Sequence, residues 1–125
     1  MALRPEMLVM GCREDDLAVL RSASGTNGPV VLTVDSAADL AEHAIKRCPT
    51  AVILGVSTQT LHHLDLISVL HAAREHLPVI VIAAADSLVL ERSARQKSIF
   101  YYLVHPIERA EVEAMLQDLL RGPRG

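Results

Sequence analysis

The apolar run Ala51–Ser57 is the feature that most constrains what this chain can fold into. Its residues are aliphatic up to Gly55, and the run is bounded by Pro49 before it and by the polar Thr58 after it. A short apolar run without polar alternation is typical of a strand that is buried on both faces of a parallel sheet. We therefore predict a central strand here, with Gly55 close to its tip.

Four further apolar runs predict strands, and apolar residues at helical spacing predict helices between them. The other predicted strands are Met7–Gly11, Val30–Val34, Val79–Ala84 and Tyr101–Val104. The predicted helices cover about 15–23, 36–48, 64–77 and 86–97, and a last helix has its core face within 112–119. This alternation predicts an α/β, flavodoxin-like, doubly wound parallel sheet of five strands in the order 2-1-3-4-5, with five helices.

Length and composition bound the domain organisation. With 125 residues, we expect one domain over 1–120, followed by a tail or the start of a linker over 121–125. The longest apolar run, Val79–Ala85, is far shorter than the roughly 20 residues of a membrane helix. The net charge of −3 and the scattered Lys and Arg residues argue against direct nucleic-acid binding.

Two cysteines, Cys12 and Cys48, lie far apart in a chain without a secretion signal at its start. This pattern favours reduced thiols and a cytoplasmic location over a disulfide framework. Cys48 ends a helical apolar pattern, so we expect it to behave as a small hydrophobic residue.

At its end the chain has the segment Tyr102–Ile107, an aromatic residue and two apolar residues followed by His105–Pro106. Together with the spacing of the elements and the lead from Pro49 into the third strand, this segment resembles the receiver domain of two-component response regulators. The resemblance covers essentially the whole chain. It implies a cis peptide bond between His105 and Pro106.

The resemblance also implies where a phosphorylation site would lie, and this chain departs from the family at each of its positions. The magnesium-binding acidic pair is replaced by Cys12 and Arg13, and the phosphoacceptor aspartate by Gly55. The hydroxyl residue is replaced by Ala83, and the lysine by His105. Magnesium prefers oxygen ligands and phosphoryl transfer requires charge neutralisation, so we predict a degenerate pocket without catalytic residues, cofactor or metal.

Other residues of this region have ordinary interpretations. Glu14, Asp15 and Asp16 are interpreted as acids of a first helical turn that face solvent. By the resemblance, the fourth helix, the fifth strand and the fifth helix would form a partner surface. Its candidate residues are Leu90, Arg95 and Tyr102.

Two functions follow from these observations. The preferred one is a non-enzymatic, phosphorylation-independent receiver-like module of bacterial-type signalling that acts on a protein partner or as a homodimer. The alternative is a small-ligand or metal-binding sensor that uses the crevice at the carboxyl edge of the sheet. Its candidate residues are Cys12, His62, His63 and His105.

Overall fold

A computed structural model describes residues 5–121. The predicted tail therefore lies, except for Arg121, outside the described residues. The elements are β1 Glu6–Met10, α1 Glu14–Ser24, β2 Val30–Thr33, α2 Ala37–Arg47, β3 Ala51–Val56, a 3-10 helix Leu61–Leu64, α3 Asp65–Ala73, β4 Val79–Ala83, α4 Leu88–Arg95, β5 Tyr101–Val104 and α5 Arg109–Leu120. Within this range, no helix is long and apolar enough to cross a membrane.

The five strands form one parallel sheet in the order β2-β1-β3-β4-β5, which confirms the predicted fold class and strand order. The strand β3 lies in the middle, between β1 and β4. Its residue Leu54 is in register with Met10, and Gly55 is in register with Ile82. The carboxyl ends of β1, β3 and β4 therefore meet at one edge of the sheet.

The core consists of two apolar clusters, one on each face of the sheet. Successive strand residues point to opposite faces, so Leu54 and Val56 join the cluster that contains Leu40 of α2. Ile53 joins the other cluster, which contains Met115 of α5. Burial on both faces explains why β3 is apolar at every position except Gly55.

Helix starts follow local capping, as at α2 and α4. The Ser36 hydroxyl accepts a hydrogen bond from the Asp39 amide at 3.1 Å, and the Ser87 hydroxyl accepts one from the Leu90 amide at 3.2 Å. The predicted extent of α3 was wrong, because the helix ends at Ala73 and Leu77 lies in the loop that follows it. Leu77 is buried nonetheless, and the proline after it disfavours helical backbone at that position.

The expectation that Cys48 behaves as a small hydrophobic residue was wrong. Cys48 is exposed and lies at the end of α2 in the left-handed conformation, with φ at 50°. Its Sγ contacts the Arg74 guanidinium. The left-handed turn rotates the side chain away from the apolar stripe of α2, which helical spacing alone did not show.

Candidate functional site

A small cavity of about 170 Å³ marks the carboxyl edge of the sheet, where the resemblance places a phosphorylation site. Its lining comes from the loops after β1, β3 and β4, and it includes Cys12, Gly55, Ser57, His63 and Ala84. Ligands of open α/β sheets bind at this edge. The structure thus brings Cys12 and Gly55 together in one lining.

Gly55 lies against the backbone of the loop after β1. A Cβ atom at Gly55 would have the Gly11 carbonyl oxygen as its nearest neighbour, with the Gly11 carbonyl carbon at 2.6 Å and the Cys12 amide nitrogen at 2.8 Å. In return, a Cβ atom at Gly11 would lie 2.6 Å from the Gly55 carbonyl oxygen. Cβ atoms do not approach backbone atoms this closely, so the space that an acceptor side chain would need is filled by main chain.

Cys12 and Arg13, which the resemblance sets at the acidic pair, are unsuited to magnesium binding. Cys12 is half-buried, and its burial, followed by the charge of Asp16, raises the pKa of the thiol to about 12. The thiol is therefore protonated at neutral pH and is a poor metal ligand and nucleophile. The Arg13 side chain is exposed, and its Nε lies 3.9 Å from Asp15 Oδ1.

Asp16 was wrongly interpreted as a solvent-facing acid, since only 2% of it is exposed. Its Oδ2 accepts a hydrogen bond from His105 Nδ1 at 2.8 Å, and its Oδ1 accepts one from the Ile107 amide at 3.2 Å. The carboxylate thereby ties the start of α1 to the loop between β5 and α5. A buried carboxylate is stable only with such partners, and these partners come from a segment about 90 residues away in the chain.

The hydroxyl and lysine positions lie on β4 and after β5. Ala83 is fully buried, and its carbonyl accepts a hydrogen bond from the His105 amide at 2.8 Å. The His105–Pro106 peptide bond is cis, as the resemblance implies. The imidazole of His105 faces α1 through its contact with Asp16, and therefore does not supply a mobile cation as the family's lysine would.

The alternative metal site over Cys12, His62, His63 and His105 does not form as predicted. In the described part of the chain, the His, Cys, Asp and Glu atoms close enough to share an ion are those of Asp15, Asp16 and His105, all within 4.8 Å of one another. His62 and His63 pack edge-on against each other, with ring centroids 4.5 Å apart. Asp15 and Asp16 were not predicted as ligands from the sequence, because acids in a first helical turn are already explained by the helix dipole.

Comparisons with known proteins agree with this geometry. The chain is 28% identical over 117 residues to the transcriptional regulatory protein PrrA of Mycobacterium tuberculosis. The match covers 94% of this chain and 50% of that protein. The chain thus spans about half the length of the curated relatives it matches. The chain is similar to these regulators over nearly all of its own length.

Solved structures of receiver proteins show the same fold as this chain. A CheY-like protein, TadZ, from Pseudomonas aeruginosa superposes with a TM-score of 0.80 at 15% identity, over 93% of this chain and 99% of that one. A response regulator receiver protein from Pseudoalteromonas atlantica superposes with a TM-score of 0.76 at 17% identity, over 96% and 100% of the two chains. No family model matches the sequence.

The candidate partner surface differs from the prediction at Leu90. Leu90 is only 1% exposed and belongs to the core, so its assignment to this surface was wrong. The apolar residues that α4 presents to solvent are Leu88 and Val89, which are 61% and 63% exposed. They lie in the first turn of the helix, where the apolar stripe alone does not distinguish inward from outward residues.

Tyr102 and Arg95 are adjacent on this face of the domain. The Arg95 guanidinium lies 5.4 Å from the centroid of the Tyr102 ring, and Arg95 Nε donates a hydrogen bond to Glu91 Oε2 at 2.9 Å. The Tyr102 hydroxyl is buried without a hydrogen-bond partner within residues 5–121. Burial is also the main cause that raises the Tyr102 pKa. The ring is thus packed against the Arg95 side chain with its hydroxyl buried.

Proposed function

We propose that this receiver-like domain is a phosphorylation-independent, non-enzymatic module of two-component signalling that works through protein–protein contacts. The observation that carries the proposal is the filled acceptor position. The main chain of Gly11 and Cys12 occupies the volume into which a side chain at Gly55 would extend. The departure from the family is therefore built into the backbone, and a change of one side chain would not reverse it.

The charges around the acceptor position support the same conclusion. Phosphoryl transfer through a magnesium-bound intermediate needs several free carboxylate oxygens near the acceptor. Asp16 is the one carboxylate in the lining of the cavity at Gly55, and both of its oxygens already accept hydrogen bonds. The protonated Cys12 thiol adds no charge that would hold the ion.

Without phosphoryl transfer, the function of the domain would depend on its surfaces. The exposed side chains of Leu88 and Val89 lie in the first turn of α4, and Arg95, which packs over the Tyr102 ring, ends the same helix. Exposed apolar residues, aromatic residues and arginines are typical of protein interfaces. A protein partner or a second copy of the chain would bind there, in the cytoplasm. The relatives it matches are named transcriptional regulators, so the partner would belong to a pathway that controls transcription.

Incubation with magnesium and a small phosphoryl donor tests the proposal. Purified protein is treated with Mg²⁺ and acetyl phosphate, and separately with Mg²⁺ and beryllofluoride, next to a receiver domain that has its acceptor aspartate. We expect no phosphoryl adduct in the intact mass and no saturable amide shifts around Gly55, while the control domain shows both.

The same treatment of the Gly55→Asp variant separates a lost side chain from a filled site. We expect this variant to remain unmodified or to unfold, because the aspartate Cβ meets the main chain of Gly11. A phosphoryl adduct on any carboxylate of the natural chain would overturn the proposal. A folded Gly55→Asp variant that accepts phosphate would show that the loop after β1 yields.

A further inference from the structure

His105 lies between two carboxylates from the first turn of α1. Its Nδ1 is 2.8 Å from Asp16 Oδ2, and its Nε2 is 3.9 Å from Asp15 Oδ2. The two carboxylates differ in environment, since 67% of the Asp15 side chain is exposed and 2% of the Asp16 side chain is. One acid is thus fixed in the interior, and the other is exposed, with its Oδ1 accepting a hydrogen bond from the Asp16 amide at 3.1 Å and its Oδ2 directed towards His105.

The hydrogen bond to Asp16 sets the tautomer of the imidazole. Both Asp16 oxygens accept hydrogen bonds, so the His105 proton lies on Nδ1 in the neutral ring. The lone pair is then on Nε2, the nitrogen that faces Asp15. Histidines that bind metals through one nitrogen usually donate the other ring N–H to a carboxylate in this way, which orients the ring and raises its basicity.

We propose that His105 Nε2 and the Asp15 carboxylate bind a divalent transition-metal ion of the Zn²⁺ class, with Asp16 as the positioning residue. Bonds of about 2.0–2.2 Å to zinc at a tetrahedral angle place two ligand atoms roughly 3.4 Å apart. The present separation is 3.9 Å, and a rotation of the exposed Asp15 side chain closes the difference. Water or a residue of a bound partner completes the coordination.

The chemistry of the ligands selects the metal. An imidazole nitrogen suits Zn²⁺, Ni²⁺ and Cu²⁺, whereas Mg²⁺ prefers oxygen ligands. The two proposed ligands also lie outside the lining of the cavity at Gly55, which includes Asp16 but neither Asp15 nor His105. The inference therefore stands independently of the proposed function.

Titration of the whole chain with ZnCl₂ tests the site. Binding is measured by calorimetry and by NMR of the imidazole and amide resonances. We expect one saturable ion, with the largest shifts at Asp15 and His105. Replacement His105→Asn should weaken binding at least tenfold, and Asp15→Asn several-fold. His76→Asn, which removes an exposed imidazole before β4, is the matched control and should change the affinity less than twofold.

Two further measurements make the test decisive. Asp16→Asn should weaken Zn²⁺ binding by about 10- to 100-fold, as is usual for a residue that orients a metal-bound histidine. If this variant does not fold, the His105→Asn and Asp15→Asn titrations decide alone. MgCl₂ at the same concentrations should leave the imidazole resonances unmoved. Binding by His105→Asn as tight as that of the natural chain, or shifts centred on His62 and His63, would overturn the proposal.

Discussion

Replacement of Gly55 by alanine tests directly whether the acceptor position is closed. The new methyl group would lie 2.6 Å from the Gly11 carbonyl carbon and 2.8 Å from the Cys12 nitrogen, well inside ordinary van der Waals contact. Neither neighbour is a flexible side chain, and β3 is fixed by its pairing with β1 and β4. Overpacking of this kind costs up to about 3 kcal/mol, and the reduced entropy of the unfolded chain offsets about 0.7 kcal/mol of it.

We therefore expect Gly55→Ala to lower the free energy of unfolding by about 2 kcal/mol. For a domain of this size the loss corresponds to a decrease in Tm of roughly 8 °C. With an m-value of about 2 kcal/mol per molar, the urea midpoint falls by about 1 M. Both quantities follow from circular dichroism at 222 nm, a wavelength that reports on helix content.

Gly25→Ala is the matched control for this experiment. A Cβ atom there meets nothing within 4 Å, but the glycine has φ 62° and ψ −158°, a region that other residues rarely adopt, so this variant measures a backbone penalty of about 1–3 kcal/mol without any contact of the new methyl group. If Gly55→Ala is as stable as the natural chain, the loop after β1 yields easily. The acceptor position would then be open to side chains, and the reasoning from the filled site would fail.

Three more measurements test other contacts. Asp16→Ala should lower the free energy of unfolding in urea by about 3 kcal/mol, because two donors lose their acceptor, whereas Asp15→Ala should change it by less than about 0.5 kcal/mol. The pKa of Tyr101 is raised mainly by its hydrogen bond to a carboxylate of α5 and secondly by burial. The stabilising effect of this hydrogen bond is therefore complete below the ordinary pKa of 10.0 and is lost as the pH rises through the higher pKa of the folded state. Tyr101→Phe should flatten the decline in stability above pH 10. Leu88→Glu should abolish self-association or partner binding in sedimentation analysis and leave the melting temperature unchanged. Leu90→Ala, in contrast, should lower the free energy of unfolding by about 2–5 kcal/mol. A Leu88→Glu variant that associates normally would exclude α4 from the interface.

The parts of the fold that were predictable from the sequence are those in which local pattern and tertiary environment agree. Strands buried on both faces need continuous apolar runs, so β3 and β4 were visible in the sequence. Helix starts with a serine cap, as at Ser36, follow from a hydrogen bond within one turn. The end of α3 was not predictable from spacing, because Leu77 is buried in a loop but follows Leu70 at a spacing that a helix would also give.

By itself, the sequence determined the sheet and its strand order and placed Gly55 near the tip of the central strand, since each of these depends on residue type and spacing along the chain. Only the tertiary structure decided that the main chain of Gly11 lies against Gly55, that Asp16 is buried against His105, and that Leu88 rather than Leu90 faces solvent. These features depend on atoms from distant segments that meet only after the crossovers are made. Periodicity reports that a residue lies on an element, but contacts across the sheet edge determine what that residue can do.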